Sequence, residues 1–187
     1  MNPVDRERLG ARPLNYSPYR GRWPSVADGA YVAPSASLVG DVTIGTESSI
    51  WFGAVLRGDV QPIRVGERTS IQDNAIVHAT EGWAPTVVGN DVTVGHGVIL
   101  HGCQIGDLVL IGMGTIILDE ASVGARSMIG AGSLVTARSK IPEGVLAFGR
   151  PAKPVRDLRP DELKRLEESS QIYVRHAGEY LAESVTR

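Results

Sequence analysis

Three of the four histidines in this 187-residue chain, His78, His96 and His101, fall in one Gly-rich stretch, the last two inside VGHGVILHGC at residues 94–103. Neutral imidazoles suit zinc, and a set of three leaves a fourth position open for water or substrate. Such a site brings the pKa of bound water to about 7 and yields hydroxide near neutrality. The competing reading is three polar residues scattered through a flexible segment. Choosing between them requires a frame that says which residues can meet.

That frame is a period of six. Aliphatic residues recur at Val32, Leu38, Ile44, Ile50 and Leu56, then at Val65, Ile71 and Val77, and again at Val88, Val94 and Leu100. After one shorter step the beat runs through Ile105, Ile111, Ile117, Val123, Ile129, Val135 and Ile141. Two positions before each aliphatic the side chain is usually small or Val, as at Ala36, Ala75, Cys103 and Ser127. Neither a helix nor a flat sheet repeats at six. A triangular solenoid does, with three short strands per rung and inward residues stacked from rung to rung at about 4.8 Å. Glycines directly after the aliphatic, as at Gly45, Gly89 and Gly95, are expected to supply turns at φ > 0. The composition agrees, because 22 glycines with only 5% aromatic residues do not make an ordinary Phe-packed core.

Counted in hexads, His78 and His101 each follow a beat residue and stand three hexads, or one rung, apart in one column. Imidazoles on neighbouring strands can converge on one metal at about 2.1 Å. Arg57 lies one rung below His78 in that column. His96 follows Val94 by two positions and falls at another edge of the prism, with Asp73 one rung beneath it as a carboxylate that orients it. An edge carrying His96 can complete the site only from a neighbouring subunit around a threefold axis.

The beat stretches between Leu56 and Val65 and between Val77 and Val88, so the chain must bulge there. After the solenoid, Pro160-Asp-Glu-Leu opens a helix whose Leu163, Leu166, Ser170, Tyr173, Ala177 and Tyr180 form one face toward the coil. The expected organisation is an N-terminal arm at 1–15, a solenoid at 16–155, and a linker with a C-terminal helix at 156–187. Net charge is −2, with no run of like charges, so neither nucleic acid nor an anionic membrane is an expected partner. The N-terminus lacks a signal-peptide core and no segment is apolar enough to span, so a cytoplasmic location is expected. The single cysteine excludes an internal disulfide; Cys103 sits at an inward position and reads as a buried, inert thiol. His176, on the helix, reads as solvated.

RGDVQPIRVG, SIQDNAIVH and VGHGVILHGC resemble the gamma-class carbonic anhydrases and their hexapeptide-repeat relatives, some labelled ferripyochelin-binding, from about Tyr16 to the C-terminal helix. The resemblance implies an all-β, left-handed parallel β-helix with a C-terminal helix, a homotrimer, and CO2/bicarbonate as substrate. It also implies one Zn2+ at each subunit interface, with Fe2+ or Co2+ as alternatives, held by His78 and His101 of one chain and His96 of the next. It further carries over Arg57 and Asp59 as an interface ion pair, Gln72 and Asp73 as hydrogen-bonding residues beside the metal, and Tyr173 as a helix residue reaching the pocket. Val60 replaces the glutamate that follows the RGD aspartate in archaeal members. The remaining acid for proton export is Glu81, in ATEGWAPT, and reduced turnover follows from that departure. Two other readings stand beside this one: an acyltransferase or acyl-CoA thioesterase on a hexapeptide solenoid, and a metal-binding scaffold without turnover.

Overall fold

Each hexad places one aliphatic and one small side chain inward and spends its remaining residues on a turn, so most strands are only two or three residues long. In the computed structural model, which describes residues 15–185, these strands pair in parallel and in register. Val77 pairs with Leu100 and Leu100 with Ile117, so like beat residues lie one above another. The first face holds Ile76–His78, Ile99–His101, Ile116–Ile117 and Leu134–Val135. The second holds Thr86–Val88, Gln104–Ile105, Ser122–Val123 and Lys140–Ile141. The third runs from Tyr31–Val32 through Ser70–Ile71, Thr93–Val94 and Leu110–Ile111 to Val145–Gly149. The result is a parallel β-solenoid of about seven turns. The expected arm lies outside the described residues except for Asn15, whose side-chain amide donates to Ala36 O at 2.8 Å.

Two longer strands, Ser37–Ile44 and Val55–Val65, continue around the corner between the first and second faces and join them into one sheet. Gly40 pairs with Gly58 and Val42 with Ile63, so residues 59–62 stand opposite Asp41 alone. This is the bulge that the stretched beat demands, and it carries Asp59 out of the ladder.

The interior follows the hexad pattern closely. Ala36, Ala54, Ala75, Val92, Val98, Cys103 and Thr115 are fully buried, as are Leu38, Ile50, Leu56, Ile71, Leu100, Ile111 and Ile129. Each large aliphatic so buried contributes about 1.5–3 kcal/mol. Val32 is only half-buried, because no described strand of the third face lies beneath it.

The turns differ from expectation. Positive φ occurs three residues after the beat, at Glu47, Arg68, Asn74, Asp91, Leu108, Glu120, Arg126 and Arg138, and not at the glycine directly following it. Non-glycine residues there cost roughly 1–2 kcal/mol each, which the repeating inter-rung bonds must offset. The glycine after the beat answers to crowding instead. A Cβ on Gly95 would sit 2.8 Å from the Ile111 carbonyl oxygen and the Met113 nitrogen of the next rung.

The helix, α1 (Pro160–Val185), lies against the third face over Tyr31–Val32, Ser49–Ile50, Ser70–Ile71 and Thr93–Val94. Glu162 closes its N-terminus, accepting from the Arg159 backbone N–H at 2.9 Å and from two Arg156 nitrogens at 2.7 Å each. Leu166, Ser170 and Ala177 are buried beneath it, and Ser170 Oγ donates to Arg68 O at 3.1 Å. Tyr180, expected on the same face, remains exposed while its ring rests on Tyr31, centroids 5.3 Å apart. The segment before α1 is not a plain linker: Ala152–Asp157 pairs antiparallel with Val145–Gly149 and closes the third face. Among the described residues no helix is long and apolar enough to cross a membrane.

Candidate metal centre

His78 and His101 end adjacent strands and pair directly in the ladder. Their rings stand with His78 Nδ1 3.3 Å from His101 Nε2. The far nitrogen of each ring faces a carboxylate: His78 Nε2 lies 3.0 Å from Asp59 Oδ1, and His101 Nδ1 lies 2.9 Å from Asp119 Oδ2. An ionised carboxylate only accepts hydrogen bonds, so each far nitrogen carries the N–H. In neutral rings the two near nitrogens are then both lone pairs, aimed at each other with no proton between them. A cation resolves that conflict. Two ligands of a tetrahedral zinc at about 2.0–2.1 Å stand roughly 3.3–3.4 Å apart, and the pair already has that separation.

The bulge after Gly58 supplies Asp59, which is fixed by an ion pair with Arg57 and by the Val60 backbone N–H at 3.0 Å. Burial pushes the Asp59 carboxyl up, but the bonds from Arg57 and His78 outweigh it and hold it below its ordinary value. Burial lowers the His78 pKa; the Asp59 hydrogen bond opposes this, but Arg57 and His101 add to the lowering and the net shift is downward. Arg57 and Asp59 of the same chain are paired, and Asp59 in turn backs His78.

His96 is elsewhere. It stands over Asp73, with Nδ1 2.8 Å from Asp73 Oδ2, and is half exposed. The same stacking appears in the backbone, where Gly97 N–H donates to Asp73 O at 2.9 Å. His96 lines a groove with Gln72 and Tyr173, floored by Ile111, Met128 and Gly130 and flanked by α1. Gln72 is nearly buried there. Tyr173 packs edge-on to Trp51, and burial, reinforced by Asp73, pushes its phenol above the ordinary value. Among the described residues no three His, Cys, Asp or Glu side chains converge as a complete metal cage within one chain. The structure thus brings together His78, His101, Asp59 and Arg57, and separately His96, Asp73, Gln72 and Tyr173.

Glu81 is exposed in the loop after His78 and makes no hydrogen bond with a histidine among the described residues. Cys103 is fully buried, and desolvation pushes its thiol up to about 12, consistent with an inert core position. His176 is partly buried beside the Tyr173 ring. Asp119 is the functional candidate that the sequence reading missed. It lies two positions after the beat residue Ile117, one rung above Leu100, and so stands over Gly102; the column of His101 itself continues to Leu118, so the count does not point to Asp119.

Residues 102–137 match the bacterial transferase hexapeptide (six repeats) family. A carbonic anhydrase from Geobacillus kaustophilus is 47% identical over 165 residues, which span 88% of this chain and 90% of its own. Mitochondrial gamma carbonic anhydrase 1 of Arabidopsis thaliana is 43% identical over 86% of this chain, and the match spans 60% of that relative's length. A crystal structure of a hexapeptide transferase family protein from Anaplasma phagocytophilum superposes with a TM-score of 0.85 at 44% identity, covering 88% of this chain and 97% of that one. Solenoid and repeat together define a hexapeptide-repeat protein. Within that class the chain belongs to the gamma carbonic anhydrase family.

Proposed function

We propose that this chain is a metal-dependent carbonic anhydrase interconverting CO2 and bicarbonate, with zinc held by His78 and His101 of one subunit and His96 of the next in a homotrimer. The observation that carries the reading is the pair of imidazole nitrogens 3.3 Å apart, with the other nitrogen of each ring against a carboxylate. A histidine serving a metal-free acyltransferase as general base has no need of that stacked pair.

Zinc bound there would supply a hydroxide nucleophile near neutral pH. The chain's own residues do the rest. Asp59, held by Arg57, fixes the ring of His78. Asp73 holds Nδ1 of the half-exposed His96, and this reading assigns its Nε2 to the neighbouring subunit's metal. Gln72 and Tyr173 present polar atoms, beside Thr93, His96 and Ser169, in a largely apolar groove suited to a small uncharged substrate such as CO2. Glu81 is the exposed acid nearest in sequence to His78 and would relay protons to solvent. A cytoplasmic location belongs to the same reading.

The test uses paired variants. His78→Ala and His96→Ala homo-oligomers should each lose zinc and CO2 hydration by stopped flow. When the two are mixed and reassembled, intact sites should re-form between one variant's His78/His101 and the other's His96. Absence of recovery in a verified mixed trimer overturns the shared site; zinc-loaded protein without hydration overturns the activity.

A further inference from the structure

Four side chains line one edge of the coil on successive rungs in the order Asp59, His78, His101, Asp119, each within 3.3 Å of the next. We propose that Asp119 is the positioning residue for His101: it fixes the imidazole in the Nδ1–H tautomer and so presents Nε2 to the metal. This rests on the reading of His101 as a ligand and adds a residue which that reading does not contain.

The geometry is specific to a carboxylate held in one orientation. Asp119 Oδ2 faces His101 Nδ1, while Oδ1 receives the Thr80 backbone N–H at 3.4 Å. One carboxylate therefore ties the His101 ring to the loop that leaves His78. The backbone reinforces this, since Glu120 N–H donates to Gly102 O at 2.7 Å and draws the Asp119 turn down onto His101's neighbour. Gly102 itself, at φ +56°, leaves the space that the carboxylate fills, because a Cβ there would collide with Asp119 Oδ1. Asp119 is only 15% exposed, so water competes weakly for its oxygens.

A neutral imidazole has one N–H. With an acceptor-only group at Nδ1, the proton stays there and Nε2 keeps its lone pair. Partners of this kind on ligating histidines are worth about 10- to 100-fold in metal affinity. Replacing the carboxylate by an amide permits the reverse arrangement, in which an amide N–H donates to Nδ1 and the ring proton moves to Nε2. There it would point at His78 and block the shared position.

The full-length protein is stripped of metal, and the His101 tautomer is read from its imidazole 15N shifts; zinc affinity is then measured by competition with a chromogenic chelator. Wild type should show the Nδ1–H form. Asp119→Asn, nearly isosteric, should shift the proton to Nε2 and weaken zinc about 10- to 100-fold, while Glu143→Gln, at a remote exposed pair with Arg126, changes neither. An unchanged tautomer and affinity in Asp119→Asn, alongside loss of zinc in His101→Ala, overturns the role of Asp119 alone. Zinc binding unaffected by His101→Ala overturns the ligand reading and this role with it. Should Asp119→Asn fail to fold, the wild-type tautomer still decides, and an Nε2–H ring refutes the proposal.

Discussion

Asp73 Oδ2 lies 2.8 Å from His96 Nδ1, one rung beneath it and at a different edge from His78 and His101. The contact holds a half-exposed imidazole through a carboxylate that is itself only partly buried. Asp73→Ala should therefore weaken zinc about 10-fold or more while shifting the unfolding free energy by no more than about 0.5 kcal/mol. Chelator competition and thermal melts separate the two effects. A large loss of stability would make Asp73 a structural residue instead.

Gly95 precedes His96 and has the next rung's backbone where a Cβ would go. Gly95→Ala must push Ile111 and Met113 away, at a cost of roughly 1–3 kcal/mol. Melting temperature should fall by several degrees, and metal affinity should fall with it because His96 moves. Differential scanning calorimetry and zinc titration check both.

Glu162 is held down to about 2, chiefly by the Arg156 guanidinium, with the Arg159 backbone N–H contributing. A carboxyl depressed on folding stabilises the folded state above its unfolded value of about 4.3, and that contribution disappears as pH falls toward about 2. The docking of α1 should loosen over that window. Limited acid proteolysis would show it as earlier cleavage at the helix, and Glu162→Gln should be equally loose at pH 7 and far less dependent on pH.

Removing metal with a strong chelator should abolish CO2 hydration and leave far-UV circular dichroism unchanged, because the buried stack from Leu38 to Ile141 needs no metal to form. Re-adding zinc should restore activity. Unfolding on chelation would instead assign the metal a structural role.

The columns were legible because a solenoid converts sequence distance into position: one rung is three hexads wherever no bulge intervenes. Counting alone paired His78 with His101 and Asp73 with His96. It also located the bulge bearing Asp59, though not its direction. The same count runs from His101 to Leu118 and misses Asp119, which stands one position further on, over Gly102, and reaches the His101 ring from there. Turn geometry was misassigned, since a glycine required by close inter-rung approach and one required by positive φ look alike in sequence.

The sequence by itself determined the repeat, the inward residues, the helix and the separation of the histidines onto two edges, all consequences of local periodicity. Only the tertiary structure decided which nitrogen of each ring faces a carboxylate, that Arg57 and Asp59 pair within the chain, and that Tyr173 shares a groove with His96. Those depend on side-chain rotamers and on how α1 lies along the third face. Both are set by packing between segments far apart in the chain, which no local spacing encodes.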